Sequence, residues 1–422
     1  MGIKKRHGND RRRVRGLPGQ VPAARERRHV RQKEIELRAV IVHLRALKRD
    51  GNVAAVEDLD ECFREVRRLA ITPYGLTSNE FRRSLWPFLL GHYTLASSSV
   101  EDPKAFEKTY VTDHRDAEQL EKDVERSLWH YDVVQGLKES ERYAKRRALT
   151  QVILTVLSAN DDLFYFQGYH DIVSVFLLTL GYSTSTFHAV ETVSQTYQRE
   201  PMRSGFEIVM ATTRLLFPLL DAADEQLFQH LRASSVEPYF ALPWIITWFS
   251  HQLTRFGDVA RLYDVFLVTH PLFSLYVSAG VVLEAREKIL RCERDFGTMH
   301  GMLSNLPQSM NLEKVIARGL VLFHQLPPQQ LIQQYELDAA MRIDSPNLYF
   351  QFPYKYQLWP SVATPILKDI PPLPSRRTRP NKALFYTKLG SRQISVIVTT
   401  VAVGFVAIVS AYLLRDRLGL RI

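Results

Sequence analysis

In AEQLEKDVERSL, residues 117–128, Leu120, Val124 and Leu128 stand at i, i+4 and i+8. On a helical wheel that places them within about 80° of one another, the mark of a helix with one apolar face. Asp123 falls about 60° to one side of Leu120, at the margin of the stripe, and Arg126 about 60° further round, facing away from the core. The two are an i, i+3 pair, so the carboxylate can steady the base of the guanidinium while its tip stays in solvent.

The same period recurs along the chain. It runs through 31–48 (Ile35, Leu37, Val40, Ile41, Leu44, Leu47) until Asp50-Gly51, and resumes after Leu76-Thr77-Ser78 with Phe81, Leu85, Phe88 and Leu89. Residues 146–158, 172–181, 207–220, 244–254, 261–268 and 312–324 repeat it. Pro243 and Pro271 fit first-turn positions, and Pro307, Pro327 and Pro328 punctuate loops. Alternating strands and glycine-spaced βα turns are missing from 55 to 340, so the predicted fold class is all-α.

With 45% hydrophobic and 24% charged residues in 422, the composition is that of a globular protein. Cys62 and Cys292 lie 230 positions apart, without metal-ligand spacing, as expected of ordinary thiols in a reduced, cytosol-facing protein. The net charge of +10 has one source: residues 1–33 hold twelve bases against Asp10 and Glu26, and the remainder is neutral. This arm is expected to be a disordered, solvated tail, with RNA, anionic lipid or an acidic protein as alternative partners. Arg6 occupies the Ser/Thr position of a myristoylation signal, and no apolar run follows the bases, so neither an N-terminal acyl chain nor a secretory leader is expected.

Residues 394–414, ISVIVTTVAVGFVAIVSAYLL, carry no charge. As a helix they would be roughly 31 Å long, about the hydrocarbon thickness of a bilayer. Arg392 and Lys388 flank one end, and Arg415, Asp416 and Arg417 the other. A span this near the C-terminus is expected to insert as a tail anchor with the large N-terminal body cytosolic, in keeping with the bases at 376–392. Its Ser, Thr and Gly content suits a thin membrane such as the endoplasmic reticulum, with the outer mitochondrial membrane as the alternative. The expected organisation is a basic arm (1–33), a helical body (34–344, core about 60–330), a proline, aromatic and basic linker (345–392), a transmembrane anchor (393–415) and a short tail (416–422). The PPLP of the linker is read as part of a plain tether, with a proline-binding module as the alternative.

The chemistry of a nucleotide or hydrolytic enzyme is missing. No G-x-x-x-x-G-K-[ST], G-x-G-x-x-G, G-x-S-x-G or H-E-x-x-H occurs, so the chain is expected to hold neither a nucleotide nor a cofactor of its own. In DDLFYFQGYHD, residues 161–171, His170 and Asp171 look reactive, but helix neighbours point about 100° apart and make a poor chelate or dyad. Asp171 is expected to bond locally and His170 to sit in a polar pocket.

Two motifs carry a resemblance. Leu120-x-x-Asp123-x-x-Arg126 is similar to the I-x-x-D-x-x-R, and Tyr165-Phe166-Gln167 with Gly168 to the Y-x-Q-G, of the TBC-domain GTPase-activating proteins of Rab GTPases. FRRSLWPFLLG, with Arg82 and Trp86, looks like the family's opening R-x-x-x-W element. ALPWIITWFSH, VARLYDVFLVTHP and LPQSMNLEKVIARGLVLF resemble its later landmarks. The family usually continues Q-G-M-N, and this chain reads Gln167-Gly168-Tyr169-His170-Asp171, with Arg83 in place of a glycine. Those departures and the apolar tail resemble the family's endoplasmic-reticulum-anchored branch.

The resemblance implies a multi-helix TBC domain that activates a partner Rab of early secretory traffic, acting on Mg-GTP held by that Rab. Arg126 and Gln167 would be catalytic fingers supplied in trans. Asp123, Tyr165, Gly168, Arg82 and Trp86 would support them, Tyr165 and Tyr169 walling in Gln167. The rival readings are a catalytically silent Rab-binding tether and an organelle-shaping membrane protein.

Overall fold

The computed structural model describes residues 24–50, 55–91, 114–128 and 130–334. The expected linker, transmembrane anchor and tail lie outside them, as do residues 1–23 of the arm. Among the described residues there are seventeen α-helices and no strand, as the all-α reading expects. They are α1 (Ala24–Asp50), α2 (Ala55–Ile71), α3 (Asn79–Leu89), α4 (Ala117–Glu125), α5 (Glu139–Ala159), α6 (Tyr169–Leu180), α7 (Thr184–Gln195), α8 (Glu207–Arg214) and α9 (Leu216–Ala223). There follow α10 (Glu225–Ala233), α11 (Leu242–Ile246), α12 (Phe256–Phe266), α13 (Phe273–Glu284), α14 (Arg286–Leu290), α15 (Phe296–Ser304), α16 (Leu312–Gln325) and α17 (Pro328–Gln334). None of the described helices is long and apolar enough to cross a membrane.

Several boundaries differ from the sequence reading, each for a local reason. The first helix begins at Ala24, inside the segment expected to be a disordered arm, and Lys33 is buried. The run expected over 207–220 divides at Leu215, where Pro218 removes an N–H and crowds the carbonyl one turn back. The run expected over 244–254 stops at Ile246, and Trp248 and Phe249 take left-handed conformations at φ 51° and 63°. Such residues cost about 1–2 kcal/mol each. Burial of Trp248 against Tyr263, with ring centroids 5.2 Å apart, opposes that cost. So does the Gln198 amide, which in its satisfied orientation accepts from the indole N–H and donates to the Ile246 carbonyl. Pro271 precedes α13 by two residues instead of opening it.

At the centre lies α6, whose sequence YHDIVSVFLLTL is apolar nearly all round and buried over almost its whole length. It packs against α3, α4, α5, α7 and α12. A second frame gathers on Asp264 of α12, which is fully buried and accepts from Arg82 Nε (3.0 Å) and Nη2 (2.9 Å), Trp86 Nε1 (2.9 Å) and the Leu76 amide (2.9 Å). The Trp86 ring stacks on Tyr263 and meets Phe176 of α6 edge-on. Gly75, at φ +53°, is required where the chain turns past Asp264: a Cβ there would lie 2.5 Å from Oδ2.

Beside this corner the Lys33 ammonium reaches the Thr72 carbonyl (2.9 Å), the Thr72 hydroxyl (2.9 Å) and the Pro73 carbonyl (2.6 Å). Burial, with Arg261 nearby, pulls its pKa from 10.5 down to about 7. The folded chain therefore binds fewer protons than the unfolded chain between those values, and the Lys33 contribution makes stability rise with pH across that window. The unfolding free energy of the wild type relative to Lys33→Met, from denaturant titrations, should increase from pH 7 to pH 9 with a slope approaching ~1.4 kcal/mol per pH unit. A difference that stays flat with pH would contradict it.

Candidate functional site

The last turn of α4 tightens: the Arg126 amide donates to the Asp123 carbonyl (3.2 Å) and the Ser127 amide to the Val124 carbonyl (2.9 Å). Arg126 is thus the residue that caps the helix, where its charge opposes the carbonyl end of the dipole. The helix does not extend to Leu128 as its spacing suggested. Leu128 turns left-handed at φ 60°, stays buried, and gives its carbonyl to Arg142 Nη1 at 2.6 Å. That exit leaves Arg126 at the surface.

The Arg126 guanidinium is held along one edge. Nε donates to the Lys122 carbonyl (3.1 Å) and Nη2 to Asp123 Oδ1 (2.7 Å). The arginine side chain is 38% exposed and the aspartate side chain 1%. A buried carboxylate thus grips the base of a cation whose remaining donors lie toward solvent.

Asp123 in turn reaches the glutamine loop. Its Oδ2 accepts from the Tyr165 hydroxyl at 2.9 Å. Burial, and then the Asp123 charge, push the Tyr165 hydroxyl well above its ordinary pKa, so it keeps its proton and remains a donor. The turn ahead of α4 holds the same loop by its backbone. Asp116 Oδ2 accepts from the Tyr165 amide (3.1 Å), and Arg115 donates to the carbonyls of Asp161 (3.0 Å) and Leu163 (2.6 Å) while lying over the Phe164 ring. One short helix therefore fixes the loop through the turn that leads into it and presents Arg126 at its other end.

Gln167 follows two residues after Tyr165 and is half-buried. Gly168 sets the next step: at φ 101° it caps α6 in a backbone conformation that an L side chain strains. Tyr165 and Tyr169 pack edge to face, with centroids 6.3 Å apart. The Tyr169 hydroxyl is engaged with Ser194 at 2.5 Å, so both hydroxyls are committed to holding the loop.

The structure brings Arg126, Asp123 and Tyr165 into one hydrogen-bonded group, with Gln167 and Gly168 on the same loop as Tyr165. Arg82 and Trp86 belong to the Asp264 frame. Sequence reasoning missed what lies beyond Tyr165. Its hydroxyl is 2.8 Å from His170 Nδ1, and His170 Nε2 is 3.4 Å from Asp171 Oδ1. Asp171 Oδ2 is 2.8 Å from His251 Nδ1. Burial alone would raise the Asp171 carboxyl, but the His170 and His251 imidazoles outweigh it and hold it well below the carboxylate range. The one signal was the departure Tyr169-His170-Asp171 after Gln167-Gly168; His251 carried none.

A family model described as the Rab-GTPase-TBC domain matches residues 79–290. TBC1 domain family member 20 from Bos taurus and from Homo sapiens is 36% identical to this chain over 269 residues. Those alignments cover 64% of this chain and 65% of each relative, so the match spans a little under two thirds of their length. The GTPase-activating protein gyp10 of Schizosaccharomyces pombe is 29% identical over 271 residues, covering 63% of this chain and 69% of the relative. Among solved structures, the Ypt/Rab-GAP domain of Gyp1p shares the fold, with a TM-score of 0.51 and 17% identity over 61% of this chain and 92% of that one. The family match runs from α3 to the end of α14 and takes in both the Arg126 helix and the Gln167 loop, and the chain is a member of the RabGAP-TBC family.

Proposed function

We propose that this chain accelerates GTP hydrolysis by a membrane-bound Rab GTPase of early secretory traffic, supplying Arg126 and Gln167 in trans. The observation that carries the reading is the mounting of Arg126: a half-exposed guanidinium gripped by buried Asp123 on a helix that also clamps the glutamine loop. Hydrolysis builds charge on the β–γ bridging and γ-phosphate oxygens, and a planar fork that keeps its proton suits several oxygens at once. Gln167 has no proton chemistry of its own. Its amide accepts and donates together, so it suits a water that must be aimed at phosphorus while the γ-phosphate is steadied. The nucleotide and its Mg²⁺ belong to the Rab.

The test is single-turnover GTP hydrolysis by a panel of Rabs with the full chain added. Acceleration of at least one Rab supports the reading; bound Rabs with unchanged GTP lifetimes would make the chain a silent tether instead. Gln167→Ala should lower the stimulated rate about 10²-fold, the usual scale for one lost transition-state donor. Its melting temperature should stay with the parent, because Gln167 is half-buried and the loop is held by Arg115, Asp116 and Tyr165. The apolar segment 394–414 is proposed to anchor the chain in the endoplasmic reticulum membrane. Deleting residues 394–422 should move the chain from the membrane pellet to the supernatant on fractionation; a deletion that stays in the pellet would refute that anchor.

A further inference from the structure

We propose that His170, Asp171 and His251 are positioning residues that hold Arg126 in register through Tyr165 and Asp123. The inference rests on the activity proposed above for its kinetic arm only. Five contacts join the six residues: Arg126 Nη2 to Asp123 Oδ1 (2.7 Å), Asp123 Oδ2 to the Tyr165 hydroxyl (2.9 Å), that hydroxyl to His170 Nδ1 (2.8 Å), His170 Nε2 to Asp171 Oδ1 (3.4 Å), and Asp171 Oδ2 to His251 Nδ1 (2.8 Å). Asp123, His170 and Asp171 are at most 7% exposed.

Donor and acceptor roles follow from Asp123 to His170, and the 3.4 Å approach of Asp171 Oδ1 to His170 Nε2 is an electrostatic contact of carboxylate and imidazole. The Asp123 carboxylate only accepts, so Tyr165 donates its one proton there. The Tyr165 oxygen must then accept, and His170 faces it with an Nδ1–H. Asp171 faces the other edge of the imidazole and receives the His251 Nδ1–H on its second oxygen. The Tyr165 and His170 rings also lie nearly parallel, 26° apart with centroids at 6.5 Å, so the imidazole backs the phenol as well as bonding to it. Removing the His170 donor leaves a buried phenol oxygen unmatched and unbacked. The Tyr165 ring is then free to shift, its hydroxyl no longer holds Asp123 Oδ2 in one place, and the carboxylate that grips Arg126 can turn. Asp171 sits in the first turn of α6 and His251 in the segment after Trp248, so the line ties the arginine to two elements of the core.

The experiment uses the full chain in detergent, with two readouts. Phenylglyoxal labelling of Arg126, followed by peptide mass, reports how firmly the guanidinium is held and needs no Rab. Single-turnover hydrolysis with the best-stimulated Rab separates kcat from KM. His170→Leu should label at Arg126 several-fold faster than the parent and lower kcat about tenfold, ~1.4 kcal/mol at the barrier, with KM unchanged. His170→Asn, which keeps an N–H where Nδ1 stood, should restore both readouts to within about threefold of the parent. Asp171→Asn and His251→Phe should shift both in the same direction as His170→Leu, and they carry the test if His170→Leu does not fold. A folded His170→Leu whose Arg126 labels at the parental rate overturns the inference, whatever any Rab does. Failure of the parent to stimulate any Rab overturns the activity instead and leaves the labelling result to decide the relay.

Discussion

Arg126→Ala should abolish most of the stimulated hydrolysis while the domain stays folded. An arginine supplied in trans accelerates small GTPases by about 10³ to 10⁵, so its loss is expected to raise the barrier by roughly 4 kcal/mol or more. The stability cost is modest, because the side chain is 38% exposed and Asp123 keeps the Tyr165 hydroxyl as a donor. Losing one charge-assisted bond at that position should cost about 1–2 kcal/mol, lowering the melting temperature by only a few degrees in a domain of this size. Arg126→Lys should recover little. An ammonium that bonded both the Lys122 carbonyl and Asp123 would have one N–H left and no planar edge to aim it, whereas the guanidinium keeps three donors outward. Single-turnover rates at saturating activator decide the matter: an Arg126→Ala variant within threefold of the parent would remove Arg126 from the chemistry.

The fold class was legible because helix-period burial is a local property. Leu120 and Val124 read as one stripe, and both are buried in α4. Asp123 and Arg126 read as an i, i+3 ion pair, and they form one. What misled the periodicity was chain that stays apolar after its helix has ended. Leu128 and Trp248 are buried at helical spacing, but both sit in left-handed turns held by distant partners, Arg142 for one and Gln198 for the other. The polar line behind Arg126 was illegible for the same reason. Its members come from residues 123, 165, 170, 171 and 251, and only the packing of α4, α6 and the chain after α11 gives them a common axis. Reading His170 and Asp171 as helix neighbours that point apart missed that they approach each other, Nε2 to Oδ1 at 3.4 Å, and that each also faces a partner outside the pair.

Asp264→Ala should be the most damaging single change to the fold, and it tests why Arg82 and Trp86 matter. The side chain is fully buried and receives four hydrogen bonds from three residues on α3 and the turn before it. Truncation strands Arg82, itself 5% exposed, as a nearly uncompensated buried cation with Asn79 as its remaining side-chain acceptor. Breaking such a pair costs about 3–5 kcal/mol, and the unmatched Leu76 amide and Trp86 indole add about 1–3 kcal/mol each. That total rivals the whole net stability of an ordinary domain, about 5–15 kcal/mol. The variant should therefore melt more than ~10 °C below the parent or fail to fold. Asp264→Asn should not rescue it, since an amide nitrogen in place of one oxygen would point donors at donors. The double change Arg82→Met with Asp264→Leu should be far less harmful than Asp264→Ala alone, because it removes both buried charges together and refills the space. If Asp264→Ala melts within about 3 °C of the parent, the Asp264 cluster is not what joins α3 to α12, and Arg82 and Trp86 must be assigned a role outside the frame of the fold.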